Sequence, residues 1–154
     1  MEEFEKWIST AGDRLKRDFS CDVVGLALQN LAGLDITWPY VIGHQNEKYK
    51  YITVRYGKGI AGKVISSSRP MEITSFPNGI FGKSTDYPIM LAEQLISAYA
   101  VPLICGDSPK GALLIGYRNM HLFTEEEKNQ AIEVARRVES SLPDHFVTYG
   151  RDRF

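Results

Sequence analysis

Between Tyr56 and Ser68 the chain reads YGKGIAGKVISSS, and no other stretch constrains its folding so tightly. Gly57, Gly59 and Gly62 match G-x-G-x-x-G, and Gly57 to Lys63 match G-x-x-x-x-G-K. Both patterns describe a glycine turn that feeds a helix N-terminus, where unpaired backbone N–H groups and the helix dipole favour an anion. The nucleotide readings of these patterns fail. A P-loop needs Ser or Thr after its Lys to hold magnesium, and that position is Val64. A dinucleotide fingerprint needs an acidic residue about 20 positions on and a second parallel unit. Glu72 comes too early and no such unit follows. The stretch therefore predicts an anion-sized pocket mouth, or glycines that only let a helix start close against a sheet.

A chain of 154 residues predicts one domain spanning 1–154, long enough to bury a core. The net charge of −1 argues against nucleic acid as a partner, because phosphate contacts need a basic surface. No apolar run approaches the roughly 20 residues of a membrane span, and the N-terminus opens acidic, as MEEFEKW. These features predict a cytoplasmic protein with no membrane partner. Cys21 and Cys105 read as reduced core cysteines, expected to be dispensable for function.

Taken in order, residues 2–19 place Phe4, Trp7, Ile8, Ala11, Leu15 and Phe19 at helical spacing. The apolar stripe suits packing on the domain's own sheet or on a second copy, which leaves a homodimer open. Residues 22–29 read as a strand with Val24, Leu26 and Leu28 on one face. Asp35–Gly43 reads as its hairpin partner, with Ile36, Trp38, Tyr40 and Ile42 sharing a face by alternation. Pro39 has no N–H for a ladder bond, so this strand is expected at an edge or bulged there. After a polar loop from His44 to Lys50 come a strand near Tyr51–Arg55, the glycine turn, a helix from Ile60 to about Ser67 and a short strand Met71–Thr74. Ser75–Asp86 reads as a loop lying over something. Pro88 suits the first position of a second helix starting at Tyr87–Ile89. Ser97–Ile104 and Gly111–Tyr117 form a second hairpin around a turn at Gly106–Lys110. Thr124 and Glu127 form a capping box for a helix over 124–142 whose stripe is Ala131, Val134, Ala135, Val138 and Leu142. The tail 143–154 is expected to be loosely fixed. The order predicts an α+β domain: a central antiparallel sheet of about six strands flanked by helices, the N- and C-terminal ones included.

The strand-then-GKGIAGKV passage, the Tyr99-Ala100-Val101-Pro102-Leu103 strand, the hairpin ending in Gly111-Ala112-Leu113-Leu114-Ile115-Gly116 and the helix start Phe123-Thr124-Glu125-Glu126-Glu127 together resemble a GAF domain over about 20–141. Such domains are small sensory modules that enclose a ligand above one sheet face. A narrower resemblance covers nearly the whole chain and rests on three passages: Asp35-Ile36-Thr37-Trp38-Pro39-Tyr40, Gly57–Gly62 and Tyr87-Pro88-Ile89-Met90-Leu91-Ala92-Glu93. These are similar to passages in the free-standing GAF proteins of the staphylococcal nitrate-regulation system, a family of nitrate receptors. The resemblance implies a nitrate site at Trp38, Ile60, Ala61, Tyr87, Pro88 and Ile89, with no cofactor, no metal and no catalytic residue. It also implies a sensor histidine kinase of a two-component system as partner. The family carries Leu where this chain has Ile60, a change that alters pocket shape but keeps the backbone N–H.

Free methionine-R-sulfoxide reductases are also single GAF domains, and their chemistry needs a nucleophilic Cys with a resolving Cys in reach. Their pattern places a Cys in the same glycine turn, where this chain has Ala61, and neither Cys21 nor Cys105 matches. His44, His121 and His145 have no metal-ligand spacing. The signature of cyclic-nucleotide-binding GAF modules is absent, since no Lys follows Asn119. A GAF module that binds another small ligand, or one that only pairs with partners, stays open at this level.

Overall fold

In the computed structural model residues 2–30 and 32–142 are described, and the tail 143–154, with Pro143 and His145, lies outside them. Helix α1 (Glu2–Phe19) leads into strand β1 (Val23–Gln29) and its hairpin partner β2 (Asp35–Ile42). The stretch expected as a loop and a longer strand divides differently. A single 3-10 turn occupies Lys48–Tyr51, and β3 is only Thr53–Arg55. Helix α2 (Gly59–Ser67), β4 (Met71–Ile73), a 3-10 turn at Ser84–Asp86 and the short α3 (Pro88–Ala92) follow. Strands β5 (Ser97–Cys105) and β6 (Ser108–Tyr117) precede α4 (Glu125–Ser141). The second hairpin is tighter than the sequence implies. Its turn is Gly106-Asp107, with Gly106 at φ +74°, and Ser108, Pro109 and Lys110 belong to the second strand instead of the turn.

All six strands lie in one antiparallel sheet in the order β3-β2-β1-β6-β5-β4. Alternation sorts their side chains into two cores. One face carries Val24, Leu26, Leu28, Tyr99, Val101, Leu103, Leu113 and Ile115, covered by Phe4, Ile8, Leu15 and Phe19 of α1 and by Ala131, Val134, Ala135 and Val138 of α4. The apolar stripe of α1 is thus largely consumed by the protein's own core, with Trp7 partly buried at its margin. The other face carries small residues, Ala27, Ala98, Ala100 and Ala112, which let α2 settle on β5 and β6 through Val64 and Ile65.

The expectation that Ile36, Trp38, Tyr40 and Ile42 share a face is wrong. Register between β1 and β2 shifts between Leu26 and Leu28, opposite Trp38 and Pro39. The bulge anticipated for Pro39 is therefore present, and the extra residue reverses the alternation. Ile36 and Trp38 face the α2 side, whereas Tyr40 and Ile42 pack on the α1 side. Beyond Thr37 the outer side of β2 has no partner strand, because β3 pairs only with Asp35, Ile36 and Thr37.

The capping box at α4 forms as its residues dictate. Glu127 N donates to Thr124 Oγ1 at 3.1 Å, and Thr124 N donates to Glu127 Oε1 at 2.9 Å. Glu127 Oε1 also lies 3.0 Å from Nε2 of His121, whose ring stacks on Tyr117. Thr124→Ala is expected to cost about 1 kcal/mol of stability, read as a lower urea midpoint with unchanged slope.

Candidate functional site

The glycine turn uses its glycines for two different physical reasons. Gly59 sits at φ +65°, and a Cβ there stands 3.1 Å from the carbonyl oxygen of Asp86. Gly62 has an ordinary φ but no room, since its Cβ would lie 2.5 Å from the Arg55 carbonyl oxygen. Gly57 N donates back to Gly62 O at 3.0 Å, closing the turn. The helix that follows has no side-chain cap at Lys58. Its first amides, on Gly59, Ile60 and Ala61, precede any carbonyl they could reach within the helix. No other backbone group among the described residues accepts from them.

Asp86 ends the turn that leads into Tyr87 and α3. The contact with Gly59 therefore seats α3 beside the start of α2. Tyr87 is fully buried, its hydroxyl donates to Phe81 O at 2.9 Å and its ring meets Phe76 edge-on. Burial pushes the Tyr87 hydroxyl above its usual pKa, and the bond to Phe81 partly opposes this. The 75–86 loop thus lies over the α2 face, held down through this hydroxyl. Met90 N and Leu91 N donate to Tyr87 O, whereas Ile89 N has no backbone partner among the described residues. Helix α3 has only five residues, so it presents a local amide and not the half-charge of a full helix dipole.

Trp38 comes from the opposite wall. Its benzo edge lies over Gly25 of β1, where a Cβ would stand 2.9 Å from the ring. Its indole N–H has no hydrogen-bond partner among the described residues, although the residue is only 2% exposed.

Between these elements lies a cavity of about 10 Å³, lined by Trp38, Val54, Gly59, Ile60, Ala61, Tyr87, Pro88 and Ile89. That is about the room one water needs, and no charged side chain is in the lining. The six residues named from the sequence, Trp38, Ile60, Ala61, Tyr87, Pro88 and Ile89, all come together there. Sequence reasoning missed Val54 and Gly59. Val54 stands opposite Ile36 in the β2–β3 ladder, so it faces the same side as Ile36 and Trp38. Lys58 is exposed, but Lys63 is half-buried and its Nζ reaches Gly57 O at 3.4 Å, so it braces the turn instead of standing free.

Cys21 and Cys105 are free, buried and part of the α1–α4 core, on the sheet face away from the cavity. Burial pushes the Cys21 thiol up to about 12 and the Cys105 thiol up to about 11. Among the described residues, no cluster of His, Cys, Asp and Glu could hold a metal ion.

No protein-family model matches the sequence, and no curated protein does. Solved structures do. A hypothetical protein from Staphylococcus aureus is 31% identical, with a TM-score of 0.66 over 73% of this chain and 93% of that one. An NreA protein from Staphylococcus aureus, mutated in its nitrate binding site, is 28% identical, with a TM-score of 0.71 over 79% of this chain and 92% of that one. The GAF domain of a phosphoenolpyruvate-protein phosphotransferase from Coxiella burnetii reaches a TM-score of 0.77 at 19% identity, over 94% of this chain and 85% of that one. The chain has the fold of a GAF domain. Free methionine-R-sulfoxide reductases share the fold alone, at 15% and 16% identity. No helix among the described residues is long and apolar enough to cross a membrane.

The buried thiols carry a pH consequence. Their folded pKa values exceed the unfolded value of 9.0, so above that pH the folded protein holds more protons than the unfolded chain. Stability is expected to be constant through neutral pH and to fall as pH rises from about 9.0 towards 11, read as a falling urea midpoint. Both thiols should resist alkylation until the protein unfolds.

Proposed function

We propose that this protein is a cytoplasmic nitrate receptor, one GAF domain along its whole length, that modulates a sensor histidine kinase according to nitrate. The observation that carries the reading is one small cavity, lined by no charged side chain, that brings the Trp38 side chain together with Ile60, Ala61 and Ile89, three residues whose amides have no backbone partner among the described residues. Nitrate is planar, singly charged and weakly hydrated, so an apolar cavity takes it at modest desolvation cost when donors meet its oxygens. Donors without a cationic side chain suit a single charge spread over a small anion. Phosphate and sulfate bring more charge and a tetrahedral shape, and are rejected.

The likeness to an NreA protein at 28% identity, described by its nitrate binding site, supports the same ligand. The kinase partner rests on the resemblance of the three sequence passages. A reductase reading finds Ala61 at the cavity and both thiols protonated on the other sheet face.

In this reading Trp38 closes the site with its ring and its free N–H, while Tyr87 and Pro88 shape the facing wall. Calorimetry on protein stripped of anions is expected to show nitrate binding. Trp38→Ala should weaken it about tenfold or more, as loss of a donor and of the ring's packing requires. Ala61→Glu should abolish it, through bulk and like charge at the mouth. Lys58→Ala should change affinity by about twofold at most, as an exposed charge does. No nitrate binding by the wild type at millimolar concentration refutes the ligand. A Lys58→Ala loss equal to that of Trp38→Ala refutes the mechanism.

A further inference from the structure

Glu93 is fully buried, the one buried charged side chain among the described residues. It follows α3 directly, four residues after Ile89, and it accepts three hydrogen bonds from two residues. Arg118 Nη2 donates to Glu93 Oε1 at 2.7 Å, Arg118 Nε donates to the Glu93 carbonyl at 2.8 Å, and Gln45 N donates to Oε1 at 2.9 Å. Arg118 Nη2 also reaches Gly43 O at 3.2 Å, and Arg118 N donates to Asp22 Oδ2 at 2.7 Å. The side chains of Gln45 and Asn46 donate to Ala92 O at 3.2 and 2.9 Å. The final carbonyls of α3 are therefore bound by side chains from two other segments. One segment, residues 43–46, continues directly from β2, the strand of Trp38. The other is the residue after β6, at the centre of the sheet. The planar guanidinium of Arg118 forks across the Glu93 carboxylate, the Glu93 carbonyl and the Gly43 carbonyl, as a lysine cannot.

A helix of five residues is too short to stand by its own hydrogen bonds. Glu93 Oε2 has no partner among the described residues, a cost retained inside the fold. A buried carboxylate kept at such a cost, beside a helix that needs an anchor, marks a positional role.

We propose that Arg118 and Glu93 are positioning residues for the cavity: they clamp α3 to the end of β2, so that the Ile89 amide and the Trp38 ring keep a fixed separation. The proposal rests on the ligand reading above. Neither residue lines the cavity, and they act only through the backbone of α3.

Two variants separate this role from plain stability. Arg118→Lys keeps the charge but loses the fork. The double variant Glu93→Leu with Arg118→Met removes both charges, an exchange that commonly leaves a fold as stable as before or more so. The expected result is a melting temperature of the double variant at or above the wild type, with nitrate affinity at least about tenfold lower in both variants. Amide hydrogen exchange without ligand supplies a second reading. The amides of Glu93 and Leu95, bonded to Ile89 O and Met90 O, should exchange about tenfold faster in Arg118→Lys, while that of Ser68 beyond α2 is unchanged. Affinity within about twofold of the wild type in both variants overturns the proposal. If the wild type takes no nitrate, the ligand reading falls by itself and exchange alone tests the clamp: unchanged exchange at Glu93 and Leu95 then overturns it.

Discussion

The approach of Gly59 to the carbonyl of Asp86 is the contact on which the site depends. With no Cβ and a φ of +65°, Gly59 lets the start of α2 and the turn before Tyr87 come within van der Waals reach. Any side chain there would push the two segments apart and open the cavity. Every other feature of the site works on the geometry this contact sets. Gly59, Ile60 and Ala61 at the start of α2 line a space whose far side is built from Tyr87, Pro88 and Ile89. An anion site made of backbone donors is only as good as the placement of the backbone, because a peptide N–H has no rotamer with which to correct an error.

The sheet separates two kinds of chemistry. On the α1–α4 side lie the long aliphatic side chains, the aromatic rings of Tyr99, Tyr117 and Phe123, and both cysteines. On the α2 side the strands carry alanines, and Gly25 leaves space for the benzo edge of Trp38. The bulge at Trp38–Pro39 links the two, since it lets one strand send Trp38 to the cavity and Tyr40 to the other core. Without that extra residue, Tyr40 and Ile42 would fall on the same face as Trp38.

The walls of the cavity differ in how they are made rigid. Helix α2 is anchored by its own length and by Val64 and Ile65 packing on the sheet. Helix α3 has little of either, and its carbonyls are bound instead by Arg118, Gln45 and Asn46. Binding a small ion yields little interaction energy, so donors already in place matter more here than in a site that folds around a large ligand.

Most of the fold was legible from local pattern. Helical spacing identified α1 and α4, Thr124 and Glu127 marked a helix start, and the glycine turn located α2, because each signal depends on neighbours within a few residues. The resemblance brought the six site residues together, and alternation alone could not have done so: it placed Tyr40 and Ile42 with Trp38, and a single inserted residue undid that assignment. Val54 escaped notice because its strand is three residues long and its role comes from pairing with Ile36. The tie between Glu93 and Arg118 spans 25 positions, and nothing in either neighbourhood hints at it. By itself the sequence determined which segments are helix, strand or turn, since backbone preference and side-chain periodicity are local. Only the tertiary structure decided which amides share a cavity and which charge holds them there, because those are distances between segments that no periodicity records.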